Sequence, residues 1–123
     1  MRVEKKELYI LGEAWKLYIG DEKEFPQLKN CDGYTDKTSR CIVVIDKPEE
    51  CNLQYFEKYQ RKVIRHEIIH AFMFESGLHS CAHYEATENE EHPEMIVDWV
   101  AVQFPKLLKV FMEAGALLEG DNE

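Results

Sequence analysis

The sequence predicts an α+β fold: a small, mostly antiparallel N-terminal sheet, then a long helix and one or two further helices. Three observations lead there. Through the first 45 positions, apolar residues alternate with polar ones or form short blocks broken by glycine and proline. From position 53 they recur at three- and four-residue steps for about seven turns. After Pro93 the helical spacing resumes. With 123 residues there is room for one domain around one core. No internal repeat, low-complexity tract or linker divides residues 1–123.

The elements follow in order. Residues 8–11 and 14–19 are short apolar-rich runs around Gly12-Glu13, a hairpin turn signal. Trp15, Leu17 and Ile19 alternate with Ala14, Lys16 and Tyr18, as in a half-buried strand. Residues 20–37 are polar and interrupted by Pro26 and Gly33, so they read as loop with one short helical turn. Residues 40–45 form the strongest strand signal, Arg-Cys-Ile-Val-Val-Ile. The span 53–78 reads as one helix, carried by Phe56, Tyr59, Val63, Ile64, Ile68, Ala71, Phe72 and Phe74. Its start is expected between 46 and 52, where Asp46 precedes Glu49 by three and Pro48 suits a first turn. Its end is expected at Gly77, with Leu78 as the hydrophobic follower. A second helix should begin at Pro93 and run to about Phe104, burying Met95, Ile96, Trp99, Val100 and Val102. Pro105 then marks a kink or a new helix over 106–118, with Leu107, Leu108, Phe111, Met112 and Leu117 at helical spacing. Residues 120–123 read as a frayed tail.

The long helix carries His66-Glu67-Ile68-Ile69-His70, an H-E-x-x-H sequence. Residues i and i+4 of a helix lie one above the other, about 6 Å apart at Cβ. Two imidazoles so placed can share a tetrahedral Zn²⁺, and the glutamate beside the first reaches a water at the metal. Ile64, Ile68 and Ala71 fall on another face, suited to the core. A catalytic zinc takes three protein ligands and keeps a fourth position open. The longer variant H-E-x-x-H-x-x-G-x-x-H is excluded, because positions 73 and 76 hold Met73 and Ser76. Downstream, Glu94 and Asp98 stand at i and i+4 and share a helix face. Glu94 can bind the metal while Asp98 accepts the free N–H of a ligand histidine. Glu88, Glu90, Glu91 and His92 are rivals for the third ligand.

H-E-x-x-H followed by E-x-x-x-D on a second helix resembles the gluzincin branch of zinc metallopeptidases. The resemblance implies one Zn²⁺ per chain held by His66, His70 and Glu94, with Glu67 as general base and Asp98 supporting a ligand histidine. The wider pattern, over residues 33–105, is similar to small zincins of prophages and other mobile elements, including SprT-like and repressor-cleaving peptidases. That likeness implies a minimal zincin domain and a peptide or protein substrate such as a phage or host regulator. In zincins the sheet edge beside the metal-binding helix holds the substrate as an added strand, a role assigned here to residues 40–45. A peptide hydrolase also needs a donor for the tetrahedral oxyanion. His79, His83, Tyr84 and His92, all between the two helices, are candidates, although each taken singly reads more simply as a surface loop residue.

Composition excludes other classes. The net charge is −9 and the pI about 5.0, which offers no basic surface for nucleic acid or anionic membrane. The first residues carry both signs of charge with no apolar h-region after them, and no apolar run approaches the ~20 residues of a membrane span. The expected location is the cytoplasm. Cys31, Cys41, Cys51 and Cys81 form no C-x-x-C pair and read as free thiols, with Cys41 a small buried residue; a Cys31/Cys41/Cys51 zinc cluster is the alternative. The chain has no sizeable second lobe to wall a substrate cleft, which calls for a partner, a homo-oligomer or an ordered substrate. The rival to a peptidase is a non-catalytic zinc-binding regulatory or interaction protein, whose site would be closed by a fourth side chain such as Cys81, His83 or His92. Hydrolysis of a non-peptide amide is a third reading, and Mn²⁺, Ni²⁺ or Co²⁺ could take the place of Zn²⁺.

Overall fold

The computed structural model describes residues 4–48, 51–78 and 94–117. Four strands come first: β1 (Glu4–Ile10), β2 (Glu13–Gly20), β3 (Gly33–Asp36) and β4 (Cys41–Ile45). Two helices follow, α1 (Phe56–Glu75) and α2 (Glu94–Glu113). The α+β architecture is the expected one. The strands form a single sheet in the order β1-β2-β4-β3. The outer pairings β1–β2 and β3–β4 are antiparallel, and the central pairing of β2 with β4 is parallel.

The sheet has one face for the helices. Leu8, Ile10, Trp15, Leu17, Ile42 and Val44 point to that face and are almost fully buried. They pack with Ile64, Ile68, Ala71 and Phe72 of α1 and with Leu107, Val110 and Phe111 of α2. Ala114 and Ala116, just past α2, complete the cluster. The opposite face is covered locally. Val43 points there and is buried, the segment after β2 lays Phe25 against Tyr18 with ring centroids 5.6 Å apart, and Leu28 is buried in a 3-10 turn (Pro26–Lys29). That turn is the short helical piece expected within residues 20–37.

The structure corrects several local expectations. The first hairpin turns at Leu11 and Gly12, not Gly12 and Glu13, because Ile10 pairs with Glu13. Both turn residues have positive φ, 51° and 87°, as a two-residue hairpin loop requires. The loop expected to run to position 37 contains a strand, β3. It has no apolar run to announce it, and pairing with β4 is what makes it a strand. β4 is therefore interior, and the edges of the sheet are β1 and, beside α1, β3. Residues 40–45, expected at an edge, are flanked on both sides by β2 and β3.

α1 starts at Phe56, later than expected. Its N-cap is Tyr55 without a side-chain bond, so Asp46 does not cap it. Its end is as expected: Ser76 donates its N–H to the Phe72 carbonyl at 2.9 Å, Gly77 takes φ 83°, and Leu78 is buried behind it. α2 continues through Pro105 rather than ending before it. A mid-helix proline costs about 3 kcal/mol. Burying Leu107, Val110 and Phe111 gains about 1.5–3 kcal/mol for each, enough to hold the helix together. On the N-terminal half, Ile96 and Trp99 are half-buried, but Val100 and Val102 are 41% and 71% exposed, against expectation. Met112 also faces solvent.

Polar contacts also fix α1 on the sheet. Trp15 donates its indole N–H to Glu75 Oε1 at 2.8 Å, and Gln60 donates to the Ile45 carbonyl at 2.9 Å. Arg65 reaches across to the Ala116 carbonyl at 2.6 Å, tying α1 to the segment after α2. Among the described residues no helix is long and apolar enough to cross a membrane. Cys31, Cys41 and Cys51 carry free thiols, and Cys41 is half-buried. Cys81 lies outside the described residues.

Candidate metal centre

The buried stripe of α1 at Ile64, Ile68, Ala71 and Phe72 sets the rotation of the helix. Turned that way, α1 exposes His66 and His70 on a neighbouring face and sinks Glu67 against the sheet. The histidine rings stand edge to face with centroids 4.8 Å apart. Their Nε2 atoms converge to 3.2 Å. For Zn–N bonds of about 2.0–2.1 Å, nitrogens at that spacing subtend about 100–105° at the metal, close to tetrahedral. The spacing fits two zinc ligands, and it is equally that of an N–H···N hydrogen bond between the two rings.

Glu67 is only 7% exposed. Its carboxylate Oε1 accepts a hydrogen bond from the Thr35 hydroxyl at 2.8 Å, and the same hydroxyl lies 3.1 Å from the Glu67 main-chain oxygen. One proton cannot serve both acceptors fully, and the carboxylate is the stronger of the two. Strand β3 therefore touches the glutamate of the motif directly. The approach is close because position 33 has no side chain: a Cβ there would lie 2.8 Å from Val63 Cγ1 and 3.3 Å from Glu67 Cγ.

The free edge of β3 lies beside this centre. The Ile45 N–H bonds to the Asp32 carbonyl at 2.9 Å, which makes 32/45 a hydrogen-bonded pair. In an antiparallel ladder such pairs alternate, so Tyr34 and Asp36 also bond toward β4. Gly33 and Thr35 then turn their main-chain N–H and C=O groups outward, and no described strand lies beyond them. A cleft of about 250 Å³ opens there, lined by Asp32, Gly33, Tyr59, Lys62, Val63, His66 and Glu67. At its far end Tyr59 donates its hydroxyl to Asp32, and Lys62 Nζ sits 6.0 Å above the Tyr59 ring. The hydrogen bond to Asp32, with burial and the aspartate charge behind it, raises the Tyr59 pKa above its usual value. A larger cavity, about 620 Å³, lies away from the motif between β1, β2, the first turns of α1 and Gly115.

His66 and His70 are thus brought together, while Glu67 turns its carboxylate to Thr35 and shares the cleft with His66. Glu94 and Asp98 fall in α2, and their side chains lie outside the described residues, as do His79, His83, Tyr84, His92, Glu88, Glu90 and Glu91. Among the described residues no group of three His, Cys, Asp or Glu side chains forms around a common point, Cys31, Cys41 and Cys51 included. Sequence reasoning missed Gly33, Thr35 and the Asp32–Tyr59 pair. Nothing in the polar stretch before β4 distinguishes them until the strand pairing places them against α1.

Comparison with protein-family models, with curated proteins and with solved structures found no match.

Proposed function

We propose that this chain is a zinc-dependent peptidase. The observation that carries the reading is the convergence of the His66 and His70 Nε2 atoms at 3.2 Å next to a buried carboxylate at a free sheet edge. His66 and His70 would hold the metal, with Glu94 the third ligand and Asp98 the acceptor for a histidine N–H, as the resemblance to gluzincins implies. Zn²⁺ bound there supplies a Lewis acid and makes water acidic near neutral pH. Glu67 takes the proton of the attacking water and passes it to the departing amine. The outward main-chain groups of Gly33 and Thr35 pair with a substrate backbone in extended form, which positions the scissile carbonyl with little demand on sequence. The cleft lined by Asp32, Tyr59 and Lys62 receives a neighbouring side chain. The substrate is an intracellular protein, and the likeness to mobile-element peptidases directs the search to phage or host regulators.

The rival, a non-catalytic zinc protein, has no use for a carboxylate buried beside the ligand pair. The test is Glu67→Gln. It should retain one equivalent of zinc, measured on protein purified without a metal-affinity column, and lose peptide hydrolysis. Activity surviving that change would overturn the mechanism. Zinc without hydrolysis in the wild type would favour the rival.

A further inference from the structure

We propose that Thr35 is a positioning residue for Glu67, an inference that rests on the peptidase reading. Its hydroxyl holds Oε1 at 2.8 Å, so the base is anchored through one oxygen. Among the described residues the other oxygen, Oε2, has no hydrogen-bond partner, and Glu67 lines the cleft. Oε2 is thus the atom left to meet the attacking water. Thr35 also has a second task. Its main chain faces the free edge where a substrate strand would pair, while its side chain faces the base. One residue therefore ties the register of the bound peptide to the orientation of the carboxylate. The short reach from strand to helix exists because Gly33, two residues earlier on the same face, lets α1 approach.

The role differs from simple packing. Thr35 is half-buried at a sheet edge, and valine has nearly its shape without the hydroxyl. Thr35→Val should therefore keep the fold and the zinc while releasing the carboxylate. Thr35→Ser keeps the hydroxyl and should restore function. Outer partners that orient a reacting group are worth about 10- to 100-fold in activity.

Two readouts test this. In chelator-treated protein, the side-chain carboxyl ¹³C resonance of Glu67, assigned through its loss in Glu67→Gln, should shift in Thr35→Val and return toward wild type in Thr35→Ser. In zinc-loaded protein, hydrolysis of a quenched-fluorescent peptide pool should show kcat about 10- to 100-fold lower in Thr35→Val. KM and zinc content should be unchanged, and Thr35→Ser should recover to within about threefold. An unmoved resonance, or full kcat in Thr35→Val, overturns the positioning role while leaving the peptidase standing. A zinc-loaded wild type that cleaves none of the pool overturns both.

Discussion

A Cβ on Gly33 would lie 2.8 Å from Val63 Cγ1, closer than two carbons can pack. The same atom would meet the Val43 carbonyl oxygen at 3.2 Å and Glu67 Cγ at 3.3 Å. Val63 is β-branched and sits on a helix, so its rotamer has little freedom to yield. The edge strand and α1 are spaced for glycine at this point.

Gly33→Ala should therefore destabilise the protein by about 1–3 kcal/mol, the usual cost of overpacking. Chemical denaturation should show it as a lower midpoint at unchanged m-value. Because Glu67 Cγ is one of the three crowded neighbours, the peptidase proposed above should lose hydrolysis more than zinc in this variant. Wild-type stability in this variant would mean that strand and helix can separate freely.

Glu75 anchors the last turn of α1. It accepts the indole N–H of Trp15, which is 1% exposed, and the guanidinium of Arg40. The Arg40 side chain is about half exposed, so its ion pair adds little. The buried indole N–H is the larger stake. Glu75→Ala should cost about 1–3 kcal/mol by leaving that donor unmet, while Glu75→Gln keeps an acceptor and should cost less. Urea titrations of the two variants separate these outcomes; equal losses would point to the charge instead.

Tyr59 holds its proton more tightly in the folded state, because its hydroxyl is given to Asp32. A pKa raised on folding stabilises below the unfolded value, here 10.0, and that contribution is lost as pH rises through the folded pKa. Stability should thus decline above pH 10, and Tyr59→Phe should decline less steeply over the same range. Denaturation midpoints across that range check it. Parallel slopes would move the decline to the other tyrosines whose pKa is raised, Tyr34 by burial and by the charges of Cys41, Cys31 and Asp36, and Tyr9 by its hydrogen bond to Glu7.

What could be read ahead of the structure was periodic. Ile64, Ile68, Ala71 and Phe72 repeat at helical spacing, and the side to which they turn sets where His66, Glu67 and His70 point. Trp15 and Leu17 alternate, and their strand lies where the alternation places it. The failures are pairings. Gly33-Tyr34-Thr35-Asp36 has no apolar signature, since only one edge and one face of it are covered. Its partner, residues 41–45, looks the same by composition whether it lies at an edge or inside the sheet. Leu11 reads as strand because it is apolar, yet hairpin geometry sends it to positive φ. Val100 and Val102 read as core because they are apolar, but the rotation of α2 is set by Leu107, Val110 and Phe111 further along.

Metal binding should appear as stability. A ligand held only by the folded state, present at a hundredfold excess over its dissociation constant, adds about 2.7 kcal/mol. For a chain of 123 residues that is a rise of about 10 °C in Tm. Zinc added to the chelator-treated wild type should raise Tm by this order. His66→Ala and His70→Ala should abolish the rise, since both residues are exposed and their loss removes a ligand without opening a cavity. Glu94→Ala should shrink the rise, because two imidazoles alone bind zinc weakly. A full rise in Glu94→Ala would transfer the third ligand to Glu88, Glu90, Glu91 or His92. No rise in the wild type would mean that the 3.2 Å approach of the two Nε2 atoms serves the helix surface alone, and the peptidase reading would fall with it.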